Sequence, residues 1–73
     1  MKNTLNLPPS LSKREMQILH LLAHGFNQIQ IADKVYLSHH TVNFHVRNIL
    51  SKFSARNATA AVALAITHEL IAL

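Results

Sequence analysis

Four stretches of this chain repeat apolar residues at helical spacing, and each stretch follows a residue suited to capping a helix. In the first, Ile18, Leu19 and Leu22 form an inward stripe, while Lys13, Gln17, His20 and His24 line the outer face. Ser12 takes the N-cap position and Glu15, three residues on, completes a capping box, with Leu11 placed to staple onto Met16. Gly25, the only glycine, ends this helix where a left-handed residue is wanted. The second stretch repeats the grammar. Asn27 caps, Gln30 closes the box, Phe26 is placed to staple onto Ile31, and Ile31, Ala32 and Val35 face inward. This helix is barely two turns long. Tyr36 and Leu37 then carry the chain around a tight turn, with Leu37 plugging the corner.

Ser38 caps the third helix by accepting from backbone N–H groups near Thr41. Val42, Val46, Ile49 and Phe53 recur at helical spacing as its buried side, with His45 at the margin. The opposite side carries His39, His40, Asn43 and Arg47. A fourth helix starts at the Asn57 cap and is expected to run through AAVALAITHELI, with Ala61, Val62, Ala65 and Ile66 shared between core and partner. No strand is predicted, because the β-branched residues follow a helical period and do not alternate. Pro8 and Pro9 forbid helix before Leu11, so residues 1–10 are read as a flexible N-terminal tail and 11–73 as one domain. The expected fold is all-α, four helices with a helix-turn-helix between Asn27 and Phe53.

Composition narrows what such a domain can do. Its 73 residues leave room for one core only, and 49% hydrophobic content makes that core attainable. Seven Lys and Arg against three acids give a formal charge of +4, which favours an anionic partner. There is no cysteine, which excludes disulfides, thiolate metal sites and thiol catalysis. No apolar run is long enough to span a bilayer or to act as a secretory signal, so a cytoplasmic location is the expectation. A short helix bracing a longer one with a polar front end is a major-groove reading arrangement.

The run LSKREMQIL, then Gly25, IADKVYLS, TVNFH, Ile49, Lys52 and the closing ALAITHELI resemble the C-terminal DNA-binding domain of the LuxR/GerE family. That family's pattern is a Leu-Ser/Thr-x-Arg-Glu opening, an Ile-Ala in the second helix and Ser-x-x-Thr-Val-x-x-His in the third. The likeness covers about residues 11–71 in register, and TVNFH most resembles the quorum-sensing branch. The resemblance implies a tetrahelical helix-turn-helix that reads double-stranded DNA with its third helix and pairs through its fourth. Carried over by position, the base-facing residues are Asn43, Phe44 and Arg47.

The residues themselves agree for two of these. Asn43 and Arg47 stand at i, i+4 opposite the buried stripe. Asn can bond adenine bidentately, and Arg can do the same to guanine. Phe44 has two readings, touching thymine methyls or packing against the first helix. Ser38 and Thr41 at the start of the third helix, with His39 and His40 in its first turn, are phosphate candidates, as are Lys34 and Lys52. The two histidines also read as ordinary cap-region polar residues. Glu15 is read as structural, and Arg14 as a bridge to a later helix or a phosphate. Leu50, on the side of Asn43 and Arg47, is expected to cover the end of the third helix or to join an interface. The dimer face is assigned to Ala61, Ala65, Ile66 and Glu69, giving a homodimer on an inverted repeat with half-sites roughly one helical turn apart.

The chain departs from the family pattern at Ile29, where a Lys or similar polar residue is frequent, at Asn43 in place of the usual Lys, at Ala58 in place of Arg, and at Glu69 in place of Gly. These changes thin the positive surface and support an alternative function: a module that heterodimerises with a larger regulator and inhibits it without productive DNA binding. The starting Met leans toward a stand-alone short regulator, whereas Pro8–Pro9 suits the end of a linker. His20 and His24, at i, i+4, form at most an edge of a zinc site, since no third ligand has a natural place beside them. The only acids are Glu15, Asp33 and Glu69, with no Gly-rich phosphate loop and no nucleophile–base arrangement. The chain is therefore read as non-enzymatic, without cofactor, metal, small-molecule ligand or membrane partner.

Overall fold

A computed structural model describes residues 8–72. The first seven residues of the expected tail, and Leu73, lie outside that range. The order of elements is α1 (Lys13–Ala23), α2 (Gln28–Val35), α3 (His39–Phe53) and α4 (Ala58–Thr67). There is no strand among the described residues. Helix α3 is the hub: it packs against α1, α2 and α4, while α2 and α4 do not touch each other.

Every start follows from short-range chemistry. Ser12 Oγ accepts from the Glu15 N–H at 3.0 Å and Glu15 Oε1 accepts from the Ser12 N–H at 2.9 Å, a complete capping box. Asn27 and Gln30 form the same reciprocal pair, both bonds at 2.9 Å. Ser38 Oγ accepts from the Thr41 N–H at 3.1 Å, and Asn57 Oδ1 from the Ala60 N–H at 2.8 Å.

The ends share one motif too. Gly25, Tyr36, Ser54 and Glu69 all have positive φ, at 93°, 58°, 53° and 59°. After each, the next residue's N–H returns five residues back: Phe26 to Leu21, Leu37 to Ala32, Ala55 to Leu50, Leu70 to Ala65, at 2.9–3.2 Å. This satisfies carbonyls that the helix end leaves open. The expected continuation of α4 through His68–Ile71 is corrected by it: the helix stops at Thr67, Glu69 turns left-handed, and Ile71 folds back into the core.

The core is built from Ile18 and Leu19 of α1, Ile31, Ala32 and Val35 of α2, Val42, Val46, Ile49 and Phe53 of α3, and Ala61 and Ala65 of α4. Leu22, Leu37 and Phe26 pack half-buried around it. Leu50 does as well, so it covers the margin between the core and the side of α3 that carries Asn43 and Arg47.

Candidate nucleic-acid interface

With four apolar residues of α3 locked into the core, the rest of its circumference is fixed by helical geometry. Asn43, Phe44 and Arg47 are all exposed, Phe44 at 60%. Together with His40 and Asn48 they line a shallow surface groove of about 380 Å³. Two rows make it, His40–Phe44–Asn48 and Asn43–Arg47, each at i, i+4 spacing. Phe44 is thus mostly exposed, its ring edge-on to His45 at 5.7 Å. The polar face read from the sequence does not include Asn48. Extending the His40–Phe44 row by one turn would have found it.

At the front of α3, Ser38, His39 and His40 are exposed and Thr41 is half-buried. The Ser38 and Thr41 hydroxyls lie 3.0 Å apart and bond each other while Ser38 also holds the Thr41 N–H. Helix α3 has no acid in its first turn, so nothing opposes an anion at that end.

Two cations assigned to phosphate are engaged within the fold. Lys52 Nζ donates to Glu15 Oε1 at 2.6 Å and to the Ser10 carbonyl at 3.0 Å, so it joins the end of α3 to the start of α1 and pins the entering chain. Burial alone would raise the pKa of Glu15. The hydrogen bonds from Lys52 and from the Ser12 backbone outweigh it and hold the carboxyl below the usual range. Lys34 places its ammonium 4.4 Å from the centroid of the Phe26 ring, beside α1 and away from the groove on α3. Arg14 bridges to a later helix, as expected: its Nη1 bonds Gln17 Oε1 at 3.1 Å and reaches the last carbonyl of α2, that of Val35, at 3.5 Å. Arg56, exposed in the α3–α4 turn, is a further cation that the sequence reading left unassigned.

On α4, the four positions assigned to pairing separate. Ala61 and Ala65 are fully buried in the protein's own core and offer no surface to a partner, which corrects their assignment. Ile66 and Glu69 are exposed, and Leu64 joins Ile66 as an exposed large apolar residue. His20 and His24 bring their ring centroids to 4.5 Å, but among the described residues no third His, Asp or Glu joins them. No helix is long and apolar enough to cross a membrane among the described residues.

Residues 9–65 match the model of the family described as bacterial regulatory proteins, luxR family. Over 71 residues the chain is 42% identical to the response regulator protein VraR of Staphylococcus aureus, covering 97% of this chain and 34% of VraR. VraR of Staphylococcus epidermidis matches to the same extent. Among solved structures, the response regulator ChrA of a heme-sensing two-component system superposes with a TM-score of 0.82 at 37% identity, over 93% of this chain and 34% of ChrA. The chain thus spans about a third of the length of the relatives it matches.

Proposed function

Since the chain belongs to the luxR family of bacterial regulatory proteins, and is a helix-turn-helix DNA-binding domain of a non-enzymatic kind, we propose that α3 reads a specific double-stranded sequence in the major groove. Asn43 and Arg47 hydrogen-bond base edges, and Phe44 presents its ring to thymine methyls. Ser38, His39, His40 and Thr41 hold phosphates at the front of α3. The observation that carries this reading is the strip of α3 on which His40, Asn43, Phe44, Arg47 and Asn48 stand side by side, backed by a core that fixes the helix.

Pairing through α4 completes the proposal. Ile66 is exposed there, with Glu69 beyond it, and suits a two-fold contact, which would set two copies of α3 on an inverted repeat roughly 34–36 Å apart. The relatives named above are response regulators, and the quorum-sensing likeness rests on TVNFH alone. Action in the bacterial cytoplasm, on the nucleoid, follows from the same reading.

Titration of labelled promoter fragments at two salt concentrations tests it. Selected fragments should bind in the nanomolar to micromolar range and weaken steeply with salt. If no fragment outcompetes random DNA even at low salt, the DNA-reading proposal fails and the inhibitory pairing module takes its place.

A further inference from the structure

A second groove, to which α3 contributes no residue, runs between α1, the end of α2 and the segment after α4. Met16, Leu21, Leu70 and Ile71 make its apolar floor, and Lys13 and Lys34 stand along its rim. It is a shallow, wide-open trough of about 1140 Å³, a docking surface and not an enclosed small-molecule site. Tyr36 borders it with 92% of its surface exposed. Among the described residues no Asp or Glu lines it: Glu15 is buried against Lys52, and Asp33 and Glu69 are not part of its lining. The contact of Lys34 with Phe26 lies at an exposed site and is weak, so its ammonium can be drawn to an anion.

An apolar floor with a cationic rim, and no Asp or Glu side chain among the described residues that line it, is the complement of a helix whose apolar stripe is flanked by carboxylates. We propose that this groove docks an acidic amphipathic helix from a partner protein. Apolar side chains at i and i+4 settle on Met16, Leu21 and Leu70, carboxylates face Lys13 and Lys34, and Tyr36 forms a wall that is apolar in its ring and polar at its hydroxyl. Because the lining excludes α3, docking there is compatible with α3 on DNA.

The test needs no DNA, so its outcome is independent of the DNA-reading proposal. Two fluorescein-labelled peptides of about four helical turns carry the same leucine stripe, one with glutamates and one with lysines at the flanking positions. Fluorescence anisotropy with the 73-residue protein should show the acidic peptide binding at least about tenfold tighter than the basic one, and weakening as salt rises. The double substitution Lys13→Glu, Lys34→Glu, on exposed positions that leave the core intact, should weaken the acidic peptide by about tenfold and strengthen the basic one. Equal binding of both peptides, or no binding of either, overturns the proposal. So does a Leu70→Glu variant that alters self-association in sedimentation while leaving peptide affinity unchanged, since the occupant would then be a second copy.

Discussion

The Lys52 ammonium meets the Glu15 carboxylate at 2.6 Å, tying the last turn of α3 to the first turn of α1 across 37 residues of sequence. Glu15 is almost wholly buried and serves three neighbours' needs at once. It closes the capping box with Ser12, neutralises Lys52, and through Lys52 holds the Ser10 carbonyl. Lys52 keeps 38% of its side chain exposed, so solvent screens the pair from one side. Lys52→Ala should therefore cost about 1–2 kcal/mol, between the near-zero of an exposed pair and the several kcal/mol of a buried one. Urea unfolding with an unchanged m-value checks the figure.

The same pair sets an acid limit on stability. The folded pKa of Glu15 lies below its unfolded value, so its contribution is complete above the unfolded pKa and is lost as pH falls through the folded one. Thermal midpoints should hold their Glu15-linked part near neutral pH and shed it below about pH 4.5. In Glu15→Gln that acid-linked loss should shrink, with lower stability at pH 7. An acid limb of the same depth in the variant would remove Glu15 from the account.

Glycine fills only one of the four left-handed positions, and this too has a measurable consequence. Tyr36, Ser54 and Glu69 pay for positive φ with an L side chain, at about 1–2 kcal/mol of intrinsic cost each. Glu69→Gly should raise stability by up to about 1 kcal/mol, or about 4–8 °C in melting temperature for a domain of this size. Gly25→Ala should do the reverse. A Cβ built there meets nothing within 4 Å, so the loss, about 1 kcal/mol, would come from the backbone alone. Differential scanning calorimetry on both variants separates the two signs.

Helix starts were legible in the sequence because a cap acts over three residues. Ser12 with Glu15, Asn27 with Gln30, Ser38 and Asn57 all fall where side-chain chemistry alone places them. Their ends were half legible. Gly25 announced itself, whereas Tyr36, Ser54 and Glu69 adopt the same backbone against their own preference, under the pull of packing by Leu37, Ala55 and Leu70. The buried stripe of α3 was readable from its period, and with it the exposure of Asn43 and Arg47. What periodicity could not reveal was which cations the fold would use. Lys52 and Lys34 resemble surface charge in the sequence, yet find Glu15 and Phe26 across distant turns. Small residues on α4 were equally ambiguous, because close approach to the domain's own core and to a partner ask for the same side chains.

That ambiguity on α4 yields a paired experiment. Ala65→Leu forces bulk into a fully buried site and should cost about 1–3 kcal/mol with no change in self-association of the fraction that folds. Ile66→Glu, on the exposed side, should leave the melting temperature nearly unchanged but weaken pairing on an inverted repeat. Analytical ultracentrifugation with and without a two-site duplex reads the second effect. If Ile66→Glu pairs as the parent does, the dimer does not use this face of α4.

Along α3, Arg47 and Lys52 should part company. Arg47 is exposed beside Asn43 in the groove, where a bidentate bond to guanine is sterically open. Arg47→Ala should cost about 1–3 kcal/mol on the preferred site and much less on other sequences, flattening a binding profile measured over randomised duplexes. Asn48 borders the same groove half-buried, and Asn48→Ala should change preference at a neighbouring base pair by a smaller amount. Lys52→Ala, by contrast, should lower affinity only as far as it lowers the folded fraction, and should leave the salt slope as it was, because its ammonium is engaged by Glu15 and Ser10. A salt slope reduced by about one unit in Lys52→Ala would mean that the ammonium leaves Glu15 for a phosphate when DNA binds. The ion pair would then be a contact made only in the unbound protein.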